Sequence, residues 1–358
     1  MAQRDFGSIT LEEIWQIPEM LQRALKPKKI IQDLAENIIE KKIKLVHLVG
    51  DGTSYHAGHV GSYLLNQMSK IKSFAELSPE FPHLVGSILN KEDLVIGISQ
   101  SGESEMTVES LKVAKSKGAL TAAITNHKDS ALAEITDKLL EMKSTKEKGL
   151  LATKTYTNTL ALLSRLSIEL AYLNKSLNED AYSVALQELM GIPRVIKDSL
   201  QYFRKQVRQQ SPYFKFAPVC FVLGSGLDYG TALEISLKFI EGSRLFSQAY
   251  STAEFPHGPI TLADESSWIL ALIPHEGHRR TTILKLLEKV KKRGATITSL
   301  YSTDTMDDVD FGISIPQTNE IFRPLVSIVP AQMLAVEIAL EKGINPDKPK
   351  WLSKVSSV

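Results

Sequence analysis

Residues 46–58 read VHLVGDGTSYHAG, and residues 220–232 read CFVLGSGLDYGTA. The two stretches align without a gap at an offset of 174 positions, and the tetrapeptide EFPH recurs at the same offset, ending at His83 and at His257. A register that holds over this distance indicates an internal duplication. Identical residues carried onto each other include Gly50 and Gly224, Gly52 and Gly226, and Tyr55 and Tyr229.

Each copy has the order of an α/β unit: an apolar run, a Gly-x-Gly turn and a segment compatible with a helix. More apolar segments alternate with helical ones, and two long helices are predicted, from about 153 to 173 and over 325–343. Strands that are apolar throughout need cover on both faces, so the sequence predicts two three-layer α/β domains, each with a mainly parallel five-stranded sheet. The predicted strands are 43–50, 72–77, 93–99, 120–125 and 138–143, then 218–224, 245–250, 268–273, 295–301 and 310–315.

The predicted domain boundaries follow from these segments. They are a helical lead-in over 1–28, a first domain over 29–178, a helical connection over 179–210, a second domain over 211–344 and a C-terminal tail over 345–358.

The composition is typical of a packed globular protein, with 358 residues, 43% hydrophobic and 23% charged. A net charge of +1 gives no surplus for binding nucleic acid or an anionic membrane. No secretory signal and no run of 18 apolar residues is present, so we expect a cytoplasmic protein. The one cysteine, Cys220, lies in a predicted strand and the eight histidines are scattered, so no metal and no cofactor are expected.

A cluster of small polar residues follows the third predicted strand of the first half, in GISQSGESEMTVESLKVAKSKG (residues 97–118). Hydroxyls and unpaired amides at a helix N-terminus favour an anion, so this turn is predicted to bind phosphate. The alternative is plain capping of the helix by Ser101 or Ser104. At the offset of 174 the second half has Ile273, Pro274 and His275, so we expect it to lack such a cradle. The cradle residues are Ser99, Gln100, Ser101 and Ser104.

In the second half, Glu234, Lys238 and Glu241 are spaced to share one face of a predicted helix. They are either an exposed ladder of ion pairs or, because the helix is otherwise apolar, a buried and functional group. Next, His257 stands between Pro256 and a Gly-Pro pair that restrict the backbone, which favours a positioned acid or base. His83, in the other copy of EFPH, is predicted to be a structural echo.

Five motifs together resemble the tandem sugar isomerase (SIS) family, and in particular the isomerase part of the glucosamine-6-phosphate synthases. These motifs, which cover nearly all of the chain in order, are GDGTSYHAG (50–58), SQSGES (99–104), GLLATKTYTNT (149–159), ALEISLKFIEGSRLFSQAYSTAEFPHGP (232–259) and LSKVSSV (352–358). The resemblance implies two flavodoxin-like domains and a homodimer with a shared active site. It implies a phosphorylated sugar or amino sugar as the ligand.

The resemblance also implies individual roles. Glu241 would move a proton between C1 and C2 of the sugar, with Lys238 assisting, and His257 would open the sugar ring in a neighbouring subunit's site. Lys354 would form a Schiff base with the open-chain ketose. The residues that would contact the sugar or its phosphate are Thr53, Ser54, Ser99, Gln100, Ser101, Ser104, Leu150, Ala152 and Ser353.

Two departures from the family pattern bear on the reaction. The synthases begin with a glutaminase domain that has an N-terminal cysteine, whereas this sequence begins MAQRDFGS, so we expect no use of glutamine. Ala152 stands where the synthases have a serine. The expected reaction is conversion of glucosamine 6-phosphate to fructose 6-phosphate and ammonia. The alternatives are a fructosamine-6-phosphate deglycase, another ketose–aldose phosphate isomerase, or a non-catalytic sugar-phosphate sensor.

Overall fold

Two parallel sheets organise the protein, which a computed structural model describes over residues 6–26, 28–302 and 308–353. The first sheet contains β1 (Leu45–Gly50), β2 (Lys72–Leu77), β3 (Asp93–Ile98), β4 (Leu120–Thr125) and β5 (Lys138–Glu141). The second contains β6 (Val219–Gly224), β7 (Ser247–Ser251), β8 (Ser267–Leu272), β9 (Thr296–Tyr301) and β10 (Phe311–Ser314). The two predicted five-stranded α/β sheets are confirmed, and every pairing in them is parallel.

The two sheets have the same topology. The spatial order is β2-β1-β3-β4-β5 in one and β10-β9-β8-β6-β7 in the other, which is the flavodoxin-like order when each is read from its own first strand. In such sheets the chain turns in opposite directions from the first and third strands, and a crevice opens at their carboxyl ends. The topology therefore identifies one candidate crevice at the ends of β1 and β3, and another at the ends of β6 and β8.

Helices flank the strands. They are α1 (Ser8–Trp15), α2 (Ile17–Leu25), α3 (Lys28–Glu40), α4 (Thr53–Leu64), α5 (Phe81–Leu84), α6 (Glu105–Ser116), α7 (Ala131–Ile135), α8 (Lys154–Leu173), α9 (Glu179–Phe214), α10 (Leu227–Ser243), α11 (Gly277–Lys291) and α12 (Arg323–Glu341). The predicted connecting helices form the single helix α9, which continues through Gly191 and Pro193. Proline removes a hydrogen bond from a helix interior but leaves the flanking turns able to stay helical.

Contacts within the chain define two compact units. The first unit contains β1–β5 and comprises the described residues of 17–147 and 154–193 together with Ser353. The second unit contains β6–β10 and comprises those of 6–16, 148–153 and 194–352. The division within α9 falls directly after Pro193.

The first sheet is buried on both faces, as its apolar strands require. Leu48 and Ile96 belong to the cluster that includes Leu163 of α8, whereas Val49 and Val95 belong to the cluster that includes Leu111 of α6. Neighbouring residues of a strand thus enter different layers, because successive side chains point to opposite faces. This explains why the strands read as continuous apolar runs.

The duplicated tetrapeptide has a shared structural role. Phe81 and Phe255, its second residues, are both fully buried. Phe81 packs on the ring of His47 at 5.5 Å, and Phe255 packs on the ring of Phe221 at 5.4 Å. His47 and Phe221 are themselves related by the offset of 174, so the duplication has preserved the same ring contact in both halves.

Helix α12 is the one described helix that is long and apolar enough to cross a membrane, with a mean hydropathy of 1.4 over its central window. However, 89% of that window is buried inside the fold, where α12 packs against α10. Within this fold, α12 is a core helix of the second unit.

Candidate functional site

A cavity of about 460 Å³ opens in the first unit at the carboxyl ends of β1 and β3. It lies at the crevice that the sheet order identifies. Six residues predicted from the sequence line it: Ser54, Ser99, Gln100, Ser101, Ser104 and Ser353. Thr53, also predicted, begins α4 beside them. The other lining residues are Asp51, Gly52, Pro79, Ile98, Glu105, Met106 and Thr107.

Strand register explains why residues distant in sequence meet here. Gly50 pairs with Leu77 of β2, and Val49 pairs with Gly97 of β3. The residues that leave the three strands, Asp51, Ser78 and Ser99, therefore emerge at one edge of the sheet.

Two glycines shape the turn after β1. A Cβ on Gly50 would lie 2.8 Å from the Cβ of Ser54 and 2.9 Å from the carbonyl oxygen of Ile98, so a side chain there would clash with the turn. Gly52 has φ of 49°, in the region that favours glycine. The Gly-x-Gly pattern thus lets β1 turn sharply into α4.

The serine hydroxyls of the loop are oriented by backbone amides. Ser99 Oγ accepts the Gly102 N–H at 3.1 Å, and Ser101 Oγ accepts the Glu103 N–H at 3.1 Å. Among the described residues, neither hydroxyl donates its own proton to an acceptor. Each is therefore held in place with a proton available for a ligand.

The alternative that these serines only cap α6 is wrong for Ser104. It occupies the N-cap position, yet its side chain makes no capping hydrogen bond. Ser104 Oγ instead donates to Asp51 Oδ2 at 3.4 Å and accepts the Thr107 hydroxyl at 3.1 Å. The first turns of α4 and α6 both line the cavity, so the positive ends of two helices contribute to it.

The charge of this cavity is unexpected for an anion site. Its described lining includes the carboxylates of Asp51 and Glu105 but no lysine, arginine or histidine. Asp51 also accepts a close hydrogen bond from the hydroxyl of Ser78. Asp51 is not among the residues predicted from the sequence, although its place between Gly50 and Gly52 was a signal that it would face the crevice.

In the second unit, α10 carries a buried triad. Lys238 Nζ lies 3.3 Å from Glu234 Oε1 and 2.5 Å from Glu241 Oε2. The side chains of Lys238 and Glu234 are at most 1% exposed, whereas that of Glu241 is 16% exposed. The alternative of an exposed ion-pair ladder is therefore wrong.

The triad determines the charge of the lysine. Burial acts to lower the pKa of Lys238, but the charges of Glu234 and Glu241 outweigh it and hold that pKa above its usual range. Lys238 therefore stays an ammonium, held between Glu234 and Glu241. This leaves one partly exposed carboxylate fixed by a buried cation.

Glu241 borders a second cavity, of about 580 Å³. Its other lining residues, all in the second unit, are Ile240, Arg244, Leu245, Phe246, Pro349, Lys350, Trp351 and Leu352. His257 is not among them. Leu150 and Ala152 are half-buried in the second unit, on a segment whose Leu151 packs closely against Gly242 of α10.

His257 is exposed in the turn that follows β7. Its backbone N–H donates to the carbonyl of Glu254 at 2.9 Å, and Gly258 after it has φ of 136°. Within the described chain, the His257 side chain makes no hydrogen bond or ion pair. The structure therefore does not bring His257 to Glu241 within the second unit, and Lys354, the remaining predicted catalytic residue, lies outside the described residues.

In the second unit, an ion pair stands where the offset places one of the residues predicted to contact the sugar or its phosphate. Asp228, which the offset relates to Ser54, forms a buried ion pair with Arg323. Burial raises the pKa of Asp228, while Arg323 opposes that shift. His275, which the offset relates to Ser101, donates its backbone N–H to Glu320 Oε1 at 3.0 Å. Among the described residues, Ile273, Pro274 and His275 stand where the first half has Ser99, Gln100 and Ser101.

The chain matches a model of the SIS domain twice, over residues 39–168 and 217–342. A glutamine–fructose-6-phosphate aminotransferase (isomerizing) of Thermococcus kodakarensis is 33% identical over 97% of this chain. That alignment covers 58% of the relative, so the chain spans little more than half the length of the curated protein it matches.

Two solved structures have the same fold. The C-terminal domain of a glucosamine-fructose-6-phosphate aminotransferase from Francisella tularensis superposes with a TM-score of 0.90 at 26% identity, covering 98% of this chain and all of that one. A glucosamine-6-phosphate deaminase from Thermotoga maritima superposes with a TM-score of 0.78 at 24% identity, covering 97% of this chain and 99% of its own. The second likeness is one of fold alone.

Proposed function

The chain belongs to the SIS domain family, and from that premise we propose that it is an amino-sugar phosphate isomerase or deaminase. The proposed reaction converts glucosamine 6-phosphate to fructose 6-phosphate and ammonia without glutamine. The observation that carries the proposal is the cavity at the ends of β1 and β3, where predicted hydroxyl ligands and two helix N-termini converge.

This cavity suits a phosphate ester. Ser99 and Ser101 each have a hydroxyl proton to donate. The amides at the start of α6 add donors, and the dipoles of α4 and α6 favour an anion at their N-termini. Binding energy from the phosphate would orient the reacting end of the sugar, which takes no part in the phosphate contacts.

The α10 triad suits proton transfer. In the proposed reaction, His257 opens the ring, and Glu241 removes the proton from C2 and returns it to C1. The C2 amine then becomes an imine, and water adds to it and releases ammonia. Lys354 offers a second route, in which its amine exchanges with that imine. Lys238 positions Glu241 through its ammonium group.

The exposure of His257 supports a proposed homodimer with shared active sites. A histidine that acts on substrate needs partners, and this side chain has none among the described residues. We propose that it serves the site of a neighbouring copy of the chain.

A deglycase acting on a 6-phosphorylated fructosamine is a second candidate. Half-buried Ala152 supplies no hydroxyl where the synthases have a serine, which leaves room for a substituent on the sugar nitrogen. A non-catalytic sensor would need the phosphate cradle but would have no use for a buried Lys238–Glu241 pair.

We expect the pure protein to release ammonia and fructose 6-phosphate in equal amounts from glucosamine 6-phosphate. Enzymatic measurement of both products tests this, and the same assay with phosphorylated fructosamines tests the deglycase. Tight binding of these compounds with no turnover of any would contradict an enzyme and favour the sensor.

Ser101→Ala is expected to weaken binding of a phosphorylated sugar without unfolding the protein. Loss of a hydrogen bond to a charged group costs about 1.5–3 kcal/mol, or about ten- to a hundredfold in Kd. The measurement is calorimetric titration with sorbitol 6-phosphate, an analogue without a reactive carbonyl.

The matched control is Ser116→Ala, at the other end of α6, where the hydroxyl donates to the Val113 carbonyl at 2.7 Å. We expect wild-type binding from this variant. If Ser101→Ala instead lowers the Tm and leaves Kd unchanged, Ser101 is a structural residue of the turn and not a ligand.

A further inference from the structure

Asp51 places a negative charge inside the cavity proposed to hold a phosphate. It stands between Gly50 and Gly52 at the end of β1 and lines the cavity directly. Its Oδ2 atom accepts a hydrogen bond from Ser104 Oγ at 3.4 Å and a closer one from Ser78 Oγ. Ser104, a proposed phosphate ligand, therefore already donates its hydroxyl proton to a carboxylate.

A phosphate dianion in this cavity would meet a charge conflict. A phosphate monoester has a second pKa of about 6 and is largely a dianion at pH 7.5. Of the charged side chains described around the cavity, Glu105 on α6 is the only one besides Asp51, and it is also acidic. The side chains that donate to Asp51 are neutral: Ser78, which follows β2, and Ser104, at the N-cap of α6. Ser99, which follows β3 and lines the same cavity, is neutral as well. Lys354 follows the lining residue Ser353 but lies outside the described residues.

A proton resolves this conflict. A carboxylate and a phosphate dianion both accept hydrogen bonds, so neither can donate one to the other. Both would also compete for the hydroxyl proton of Ser104. One proton between the two groups turns repulsion into a charge-assisted hydrogen bond. It also lowers the total negative charge of the cavity by one.

We infer that Asp51 makes the cavity take up a phosphate ester together with one proton from solvent, shared between its carboxylate and the phosphate. This inference rests on the proposed function, because it assumes that the cavity receives the phosphate. It assigns Asp51 as a residue that selects the protonation state of the ligand.

The duplicated half shows that the turn does not need this charge. Ser225 occupies the position of Asp51 at the offset of 174, between Gly224 and Gly226 and ahead of α10. A neutral side chain is therefore compatible with the same Gly-x-Gly turn in the same protein. Asp51→Ser copies the chain's own alternative, and Asp51→Asn keeps the shape of the side chain.

Calorimetric titration with sorbitol 6-phosphate at pH 7.5, in buffers of different ionisation enthalpy, counts the protons taken up. We expect the wild-type protein to take up about one proton per ligand bound, because the free ester is mostly a dianion at that pH. Its Kd should then rise about tenfold per pH unit between pH 7 and 8. Asp51→Asn and Asp51→Ser should take up almost no proton and bind at least about tenfold more tightly than wild type at pH 8.

The matched control is Glu109→Gln on α6, which removes an exposed carboxylate that pairs with Lys112 at 3.9 Å. Glu105→Gln removes the other carboxylate of the cavity. Both variants should keep the wild-type proton uptake, and loss of uptake in Glu105→Gln would overturn the assignment to Asp51 even if the Asp51 variants failed to fold.

The remaining outcomes separate this inference from the proposed function. If wild type binds sorbitol 6-phosphate without proton uptake, or if Asp51→Asn keeps the uptake, the inference is overturned and the phosphate site stands. If wild type does not bind sorbitol 6-phosphate between pH 6 and 8, the phosphate site itself is wrong.

Discussion

Glu241→Gln is expected to reduce turnover of glucosamine 6-phosphate by about 10³-fold, within the range of general acid–base catalysis. The amide has the shape of the carboxylate and still accepts a hydrogen bond from Lys238, but it cannot remove a proton from C2. Binding of sorbitol 6-phosphate should be unchanged, because Glu241 is not among the proposed phosphate ligands. The measurements are kcat by ammonia release and Kd by calorimetry.

Stability must be measured alongside, because the substitution removes one charge from a buried triad. Lys238 keeps the Glu234 carboxylate at 3.3 Å, so we expect a lower Tm but a folded protein. Glu341→Gln, at the exposed end of α12, is the control for loss of a glutamate. A folded Glu241→Gln variant with full kcat would show that another group transfers the proton.

Mixing two inactive variants should restore activity if His257 serves a neighbouring subunit. His257→Ala and Glu241→Gln are each expected to be nearly inactive alone. In a mixed dimer, one site would combine intact Glu241 from one chain with intact His257 from the other, and the second site would lack both. If the chains exchange at random, about half of the dimers are mixed, and the mixture should reach about a quarter of wild-type activity.

The mixing experiment distinguishes a His257 that acts on a neighbouring chain's substrate from one that acts on its own chain's substrate. If His257 acts on its own chain's substrate, no mixed dimer contains an intact site and the mixture stays inactive. A double variant, His257→Ala with Glu241→Gln, mixed with wild type is the control, because it should yield no gain above the wild-type share. Recovery must also depend on subunit exchange, which incubation time before the assay will show.

The fold could be predicted from the sequence because its strands carry apolar side chains on both faces. Leu48 and Val49 enter different layers, so neighbouring positions of the strand are both apolar. The constant offset then supported the prediction, since the same alternation of strands and helices recurs in both halves. The continuity of α9 could not be predicted from the sequence, because Gly191 and Pro193 are ordinary signals for a helix end.

Residues of the candidate site could be predicted from local patterns only where they are neighbours in the sequence. The serines after β3 form one local cluster, and Lys238 and Glu241 share a helical face, so local patterns identified both. Asp51 and Ser78 meet through the register of β1 with β2, which no local pattern encodes. In the proposed homodimer, the place of His257 relative to a substrate would depend on a second copy of the chain, which no pattern within one sequence can position.

Phe81 contacts His47, and Phe255 contacts Phe221. Within the four-residue motif EFPH, the phenylalanine therefore anchors the loop, and the histidine is not needed for anchoring. In both halves the phenylalanine packs the loop onto the first strand of the sheet. The histidine two positions later can therefore stay exposed without disturbing the core. A single ancestral domain with this contact would have passed the anchored loop to both halves when it was duplicated. In the proposed reaction one of these two exposed histidines, His257, has a role, and no role is proposed for the other, His83.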